Sequence, residues 1–256
     1  MILSTLSIRL SWIFIQGIKL LMNFLFPIEC LGCWKPWTHL CAQCLHQCYG
    51  HAELCPLCHT PSPWYICCIK CNYEINVWYH GIIVGFIYQD LIKRAIIQLK
   101  YHHKRQLSEI LWDKVALLAQ THPLLWWLII WSPSSIALSY IPSHRTRKYF
   151  QKGYNQSELL AQIVGKKLWI TIIQPIKKTR MTRRQTGLDR KRRLSNLIDA
   201  FSPLWGHNQT INDSIKHIII VDDIVTTWSS INHVAKAIKS VYPTITIWWL
   251  VVARNG

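Results

Sequence analysis

Glycine is scarce in this chain: 10 of 256 residues are Gly, whereas glycine usually makes up about 7% of a globular protein. Tryptophan is over-used, with 14 residues. Several of these stand at turn-like places, among them Trp34, Trp37, Trp64, Trp205 and Trp228. Two explanations stay open. Either the gene uses a reassigned UGA codon that specifies glycine and is read here as tryptophan, or the chain is a Trp-rich, divergent paralogue with a damaged site.

Long apolar runs are also lacking. No run reaches the roughly 18 residues expected of a membrane-spanning helix, and no small-residue cleavage site follows an apolar stretch. Residues 1–27 are apolar but are interrupted by Arg9, Gln16, Lys19 and Asn23. They predict an amphipathic helix that packs on the protein, with weak membrane-surface contact as the alternative. We therefore expect a cytoplasmic protein without a transmembrane segment.

Acidic residues are few, 12 Asp and Glu against 29 Lys and Arg, which gives a net charge of +17. The excess is concentrated between Arg145 and Arg193, where 15 basic residues face only Glu158 and Asp189. A local field of this sign suits pyrophosphate, nucleotides or nucleic acid, although a solvated basic face is the commoner reason for such runs.

Cysteine is absent outside residues 30–71, and ten fall within that segment. Eight of them form four Cys-x-x-Cys knuckles, and two knuckles complete a tetrahedral zinc shell. A disulfide framework is the alternative, but no secretory signal supports it. Short connections favour sequential pairing of knuckles, with interleaved pairing still open. The predicted ligands of two structural zinc ions are Cys30, Cys33, Cys41, Cys44, Cys55, Cys58, Cys68 and Cys71.

Two adjacent carboxylates end an apolar strand pattern in residues 217–225, which read His-Ile-Ile-Ile-Val-Asp-Asp-Ile-Val. Hydroxyl groups follow from Thr226 to Ser230, at the start of a segment with helical period. Carboxylates at the carboxyl end of a buried strand can accept hydrogen bonds from a ribose diol, and helix N-terminal amides can bind phosphate. The pattern predicts a sugar-phosphate site at this turn.

The rest of the chain predicts an alternation of strands and helices. Residues 84–88, 124–130, 136–141 and 244–253 read as strands, and Ser157–Leu168 reads as an amphipathic helix that follows a basic loop. Residues 177–193 are too polar for a core and predict a mobile basic lid with Gly187 as its hinge; a disordered linker is the alternative.

The Asp222-Asp223 segment resembles the 5-phosphoribosyl-1-pyrophosphate (PRPP) loop of type I phosphoribosyltransferases, which reads Asp-Asp-apolar-x-Thr-Thr-Gly-x-Ser/Thr. Every position matches except Trp228, where that family has glycine. A small residue there lets the backbone N–H groups of the loop surround the phosphate and form a phosphate cup. An indole at this position should narrow or block that cup.

Four blocks before this loop resemble the competence-protein F (ComF) family of phosphoribosyltransferase-like proteins. They are the cysteine knuckles, Leu99-Lys100-Tyr101, the Lys-Gly-Tyr-Asn-Gln of residues 152–156, and residues 182–201 with Thr-x-x-Gln-Thr-Gly-Leu, Arg-x-x-Asn and Ala-Phe. Lys152 stands where the family favours Arg, and Trp34 and Trp37 stand where it tends to have Gly.

This resemblance implies an α/β fold: a type I phosphoribosyltransferase-like parallel sheet flanked by helices, preceded by a small Cys-rich double zinc ribbon. The expected divisions are an N-terminal helix over 1–27, the double zinc ribbon over 28–75 and the phosphoribosyltransferase-like domain over 76–256.

The resemblance also implies site residues. Asp222 and Asp223 would bind the ribose hydroxyls of PRPP, and Lys152 and Gly153 would face its pyrophosphate. Mg²⁺ would bind together with PRPP. The 5′-phosphate residues would be Thr226, Thr227, Trp228, Ser229 and Ser230. The basic lid would include Arg180, Arg183, Arg184, Gln185 and Arg193.

As function, the resemblance implies PRPP binding in a competence-type protein that acts in DNA uptake and natural transformation. Its partners would be single-stranded DNA and DNA-uptake proteins. The alternative is an active phosphoribosyltransferase on an unidentified nucleobase or amine acceptor. The sequence assigns neither a base-recognition pocket nor a catalytic residue, so whether the protein is an enzyme stays open.

Overall fold

The computed structural model describes residues 24–25, 27–48, 54–55, 57–58, 60–63, 66–101, 105–142, 155–179, 200–204, 212–225 and 228–254. The chain divides into two compact units, residues 1–48 and 49–256. The predicted amphipathic helix over 1–27 lies almost entirely outside the described residues. The predicted domain boundaries after residues 27 and 75 stay predictions.

From residue 27 onward, the first unit contains a small cysteine-bearing hairpin followed by a short helix. Glu29 and Pro36 form an antiparallel bridge, and the N–H of Cys30 donates to the carbonyl of Lys35 at 2.9 Å. Helix α1 (Ala42–His46) then begins at Cys41, whose side chain accepts from the N–H of Cys44. This arrangement places thiols from the hairpin beside thiols from the helix.

The second unit contains the other regular elements. Its helices are α2 (Ile69–Ile75), α3 (Asp90–Tyr101), α4 (Arg105–Thr121), α5 (Pro123–Trp131), α6 (Gln156–Leu168) and α7 (Trp228–Lys239). Its strands are β1 (Gly81–Ile87), β2 (Ile136–Tyr140), β3 (Ile176–Lys178), β4 (Phe201–Pro203), β5 (His217–Val225) and β6 (Thr246–Arg254).

Four strands form a parallel sheet in the order β1-β6-β5-β2. Most residues of β5 and β6 are buried, as expected of parallel strands with both faces covered. Tyr140, the last residue of β2, pairs with Val221, so Asp222 comes directly beyond the end of β2. The α/β fold with a parallel sheet flanked by helices is therefore confirmed.

Helices cover both faces of the sheet. On one face, α7 packs with Ile218, Ile220, Trp249 and Val251 in a continuous core, and the antiparallel β3–β4 hairpin lies against α7. On the opposite face, Gly85 lies against Val115 of α4, and α4 packs on α6. The connections after β2 and β5 thus run to opposite faces.

One strand prediction is wrong. Residues 124–130 belong to helix α5, not to a strand. A short apolar run has no period that separates a buried strand from a helix, and the local start signal decides: Pro123 occupies the first turn and the side chain of His122 accepts from the N–H of Leu125 at 3.5 Å. Pro at this position is favourable because its missing N–H has no helical partner.

Glycine is required at position 85 by close packing. A Cβ built there would lie 2.8 Å from Cγ2 of Val115 and 2.8 Å from the carbonyl oxygen of Val252. We predict that Gly85→Ala destabilises the second unit by about 1–3 kcal/mol, measured by thermal unfolding. Gly165→Ala is the control, because its nearest contacts would be 3.1 Å, and its loss should be smaller. Equal losses would contradict this explanation.

Within the described part of the chain, no helix has both the length and the apolar character needed to cross a bilayer.

Candidate functional site

The carboxyl ends of β2 and β5 meet at the point where the sheet's connections diverge. After β2 the chain enters α6 on one face of the sheet. Beyond α6, Ile172 forms a parallel bridge with Leu138 at the outer edge of β2. After β5 the chain enters α7 on the other face. In open α/β sheets, ligands usually bind at the carboxyl edge where the connections diverge in this way. The predicted sugar-phosphate turn lies at this edge.

Asp222 and Asp223 occupy the end of β5 at this edge. Oδ1 of Asp222 accepts two hydrogen bonds, one from the hydroxyl of Ser157 at 2.8 Å and one from the N–H of Asp223 at 2.9 Å. Ser157 stands in the first turn of α6. Asp222 is half-buried, whereas Asp223 is 8% exposed. Two donors on one oxygen fix the orientation of the Asp222 carboxylate.

The first turn of α6 contributes two further side chains at the end of β2. The amide Nδ2 of Asn155 donates to the carbonyl of Ile141 at 2.9 Å, which joins the two ends of the loop over residues 142–154. The Tyr140 hydroxyl hydrogen-bonds to Glu158, and burial together with that carboxylate raises the pKa of Tyr140 to about 12. Tyr140 is therefore protonated at neutral pH and can donate.

The sequence pattern predicted the two Asp residues but not Ser157, Tyr140 or Glu158. The sequence did carry a signal for them. In a parallel sheet, the helix after one strand begins at the edge where the neighbouring strand also ends, so residues at both places can share a site. What could not be read was that β2 and β5 are neighbours. Their adjacency brings residues 157 and 222 together across 65 positions of the chain.

Several predicted site residues lie outside the described residues. Trp228, Ser229 and Ser230 begin α7, but only their backbone is described. The assigned ligand roles stay predictions. The members outside the description are Lys152, Gly153, Arg180, Arg183, Arg184, Gln185, Arg193, Thr226 and Thr227.

Ser157→Ala should weaken ligand binding at this edge. Loss of the 2.8 Å hydrogen bond to Asp222 frees the carboxylate to rotate, and a hydrogen bond to a charged group contributes about 1.5–3 kcal/mol. We expect PRPP binding about tenfold weaker or more, measured by calorimetry. Ser240→Ala is the control, since that hydroxyl donates to Ala237 at the far end of α7. A Ser157→Ala protein that binds as tightly as the control would exclude this positioning role.

The second site is a pair of four-cysteine clusters. Within each cluster, all sulfur atoms lie within 4.8 Å of one another. The members are Cys30, Cys33, Cys41 and Cys44 in the first and Cys55, Cys58, Cys68 and Cys71 in the second. The structure therefore groups the knuckles in sequential pairs, and their roles as zinc ligands stay predictions.

The two clusters are built alike. In each, a hairpin closed by an antiparallel bridge carries the first knuckle, at Glu29–Pro36 and at Leu54–Pro61. A helix N-terminus carries the second. The backbone N–H of Cys41 donates to the sulfur of Cys30 at 3.3 Å, and that of Cys68 donates to the sulfur of Cys55 at 3.4 Å. Backbone donors of this kind orient a thiolate and stabilise its charge.

Zinc fits both clusters. Tetrahedral Zn²⁺ with Zn–S bonds of about 2.3 Å requires sulfur atoms about 3.8 Å apart. Sγ of Cys33 and Cys41 lie 3.6 Å apart, as do Sγ of Cys58 and Cys68. This separation is far longer than a disulfide bond of about 2.05 Å. Four thiolates fill the shell, so a zinc ion held here is structural.

The thiols of each cluster differ in acidity. Burial raises the pKa of Cys30, but backbone N–H groups of Cys41, Cys33 and Gly32 outweigh it and lower the pKa to about 6. The hydroxyl and backbone of Thr60 lower the pKa of Cys58 to about 6. Each cluster therefore offers a thiol that ionises easily, as metal binding requires.

Cys67 lies outside the clusters and serves packing. It belongs to the core that includes Tyr79 and Ile82, and burial raises the pKa of its thiol to about 12. Its N–H contacts the carbonyl of His80 at 3.4 Å. The second cluster is thus joined to β1 through the core.

Comparison with known proteins identifies the relatives of this chain. It is 28% identical over 241 residues to Competence protein F of Haemophilus influenzae, covering 90% of this chain and 99% of that protein. It is 27% identical over 228 residues to DNA utilization protein YhgH of Escherichia coli, covering 86% of this chain and 91% of the relative. These relatives support the resemblance of the chain to the ComF family. No family model matches it.

The similarity to these relatives is not confined to one part of the chain. The matches extend over nearly the full length of the relatives, including DNA utilization protein YhgH of Salmonella typhi at 26% identity, with 82% of this chain and 89% of that protein covered. The likeness therefore spans the cysteine clusters and the sheet together. It includes the segment that carries Asp222 and Asp223.

Proposed function

We propose that this chain is a ComF-family protein that binds PRPP at the carboxyl edge of its sheet and acts in DNA uptake or utilisation in the cytoplasm. The observation that carries the ligand proposal is the Asp222–Asp223 pair beside the end of β2, in which the carboxylate of Asp222 accepts from the hydroxyl of Ser157. The names of the relatives, Competence protein F and DNA utilization protein YhgH, support the process. Ten cysteines without a disulfide bond suit a reducing compartment.

Each part of PRPP has a chemical counterpart in this proposal. The ribose diol donates to the carboxylates of Asp222 and Asp223. The 5′-phosphate meets residues 226–230, which join β5 to the N-terminus of α7, and helix N-terminal amides favour an anion. The pyrophosphate faces Lys152 and Gly153 in the loop whose ends Asn155 and Ile141 join. Mg²⁺ would bind together with PRPP and would neutralise phosphate charge, because magnesium usually keeps phosphate and water ligands.

Calorimetric titration tests the ligand. The unaltered chain and a Trp228→Gly variant are each titrated with PRPP, with and without Mg²⁺. We expect saturable binding that Mg²⁺ strengthens, and that is tighter in the variant because the phosphate cup is open. Ribose 5-phosphate and pyrophosphate, each carrying part of the ligand, should bind more weakly. If neither protein binds PRPP with Mg²⁺ present, the ligand proposal is wrong.

The DNA role rests on charge as well as on the relatives. The chain carries +17, and most of the excess lies between residues 145 and 193. The main-chain hydrogen bond from Thr179 to Ala200 brings the two ends of the 180–199 segment together beside the β3–β4 hairpin. Basic side chains on such a segment can contact phosphates of single-stranded DNA and release counterions.

Salt-dependent binding to a fluorescent single-stranded oligonucleotide tests this surface. Four arginines are replaced by alanine: Arg183, Arg184, Arg192 and Arg193. We expect weaker binding and a shallower dependence on salt, because each lost phosphate contact reduces the slope.

A control with the same loss of charge keeps that test specific. It replaces four exposed basic residues of α3, α6 and α7 with alanine: Lys93, Arg94, Lys166 and Lys236. The control should retain most of the affinity and the slope. If both quadruple variants lose affinity equally, a specific surface in residues 180–199 is excluded.

A further inference from the structure

Left-handed backbone in this chain coincides with tryptophan. Five non-glycine residues of the described part have positive φ: Trp34 at 64°, Trp37 at 68°, Asn76 at 52°, Asp90 at 37° and Trp169 at 56°. Asn and Asp are the usual exceptions, because their short polar side chains tolerate this region. Tryptophan has a large side chain without this property, so it is not expected at positive φ.

The three indoles are too exposed for packing to offset the backbone strain at these positions. A side chain with a Cβ is disfavoured in the left-handed region by contact with the following carbonyl oxygen. Deep packing of the ring could compensate, but Trp34 is 71% exposed, Trp37 is 63% exposed and Trp169 is 91% exposed. The backbone at these positions is that of glycine, and the side chains contribute little in return.

The local structure at each site explains the demand for glycine. Trp169 ends α6 in the left-handed conformation, and its N–H donates to the carbonyl of Gly165. Helices commonly have glycine at this end position. Trp34 closes the turn of the first knuckle, because its N–H donates to the carbonyl of Cys30 at 3.0 Å. Trp37 follows Pro36 of the bridged hairpin.

Other tryptophans are integral to the fold. Trp112, Trp248 and Trp249 are wholly buried, and the ring of Trp248 meets that of His80 edge-on with centroids 4.6 Å apart. Glycine at these positions would leave cavities in the core. Among the described tryptophans, these three buried residues are thus distinct from the three exposed residues with left-handed backbone.

We infer that the protein made in its natural source carries glycine at positions 34, 37 and 169, through a UGA codon that specifies glycine there. We extend the inference to position 228 on a different ground: its backbone is helical, but Trp228 stands where the PRPP loop has glycine. The inference for the first three positions is independent of the proposed function. Its extension to residue 228 deepens that function, because glycine there completes the phosphate cup.

Peptide mass spectrometry of the protein from its source tests the inference. Trypsin releases residues 168–177 with position 169, residues 217–236 with position 228, and residues 240–254 with positions 248 and 249. We expect the first two peptides to be lighter than the sequence implies by the difference between Trp and Gly. The third should have its unaltered mass and serves as the internal control.

Two outcomes would overturn the inference. Tryptophan at position 169 refutes it for the left-handed class, and tryptophan at position 228 refutes its extension to the loop. Neither result depends on PRPP binding, so this inference and the proposed function can fail separately.

Stability of the recombinant chain tests the backbone argument. Trp169→Gly should raise the midpoint of thermal unfolding by about 2–4 °C for each kcal/mol of strain relieved. Trp169→Ala keeps the Cβ and should gain less. Trp127→Gly removes an exposed indole, 52% accessible, from the interior of α5, and should lower the midpoint. Equal shifts for the two glycine variants would refute the argument.

Discussion

Replacing both Asp222 and Asp223 with asparagine, in the Trp228→Gly background, should weaken PRPP binding by at least about 100-fold. Each carboxylate accepts from a ribose hydroxyl in the proposed complex, and a hydrogen bond to a charged group contributes about 1.5–3 kcal/mol. Asparagine keeps the shape of the side chain, and it can still accept the bond from Ser157. Calorimetry measures the affinity, and thermal unfolding verifies that both proteins are folded.

The change in net charge alone would strengthen PRPP binding, not weaken it. PRPP is an anion, so removal of two negative charges from this basic chain should favour its binding. The control replaces Asp113 and Asp213, both exposed, with asparagine and should bind PRPP as well as the parent or slightly better. If the Asp222/Asp223 double variant binds within about threefold of this control, the ribose assignment is wrong.

Loss of one cysteine from either cluster should remove one of two bound zinc ions. Cys44→Ser and Cys71→Ser each break a shell in which the sulfur atoms lie within 4.8 Å. Zinc contributes about 10–16 kcal/mol to the folding of small zinc-binding domains. We expect zinc content, measured by elemental mass spectrometry, to fall from two ions per chain to one in each variant.

The two variants should differ in their effect on the sheet. Cys71 lies in the unit that contains the sheet, and Cys67 of the same segment packs in the sheet's core with Tyr79. Cys71→Ser should therefore lower the thermal midpoint of that unit, whereas Cys44→Ser should leave it nearly unchanged. Cys48→Ser is the control and should retain both ions, since Cys48 belongs to neither cluster. Full zinc content in either cluster variant would contradict the ligand assignment.

Sequence patterns predicted strands well where both faces are buried. The apolar run at 244–253 corresponds to β6, and the run ending in Asp222 and Asp223 corresponds to β5. The same reasoning failed at residues 124–130, because a run that is apolar on every side has no period, and the start of α5 is decided by His122 and Pro123. Helix starts depend on backbone groups that periodicity does not show.

The sequence by itself determined the kinds of site: thiol pairs spaced for a metal shell, and a carboxylate pair at the end of a buried strand. Short-range spacing was sufficient, because both features lie within a few residues. Only the tertiary structure decided which knuckles share a shell, that Ser157 holds Asp222, and that three tryptophans stand on left-handed backbone. These facts depend on strand order and backbone dihedral angles, which arise when distant segments pack together.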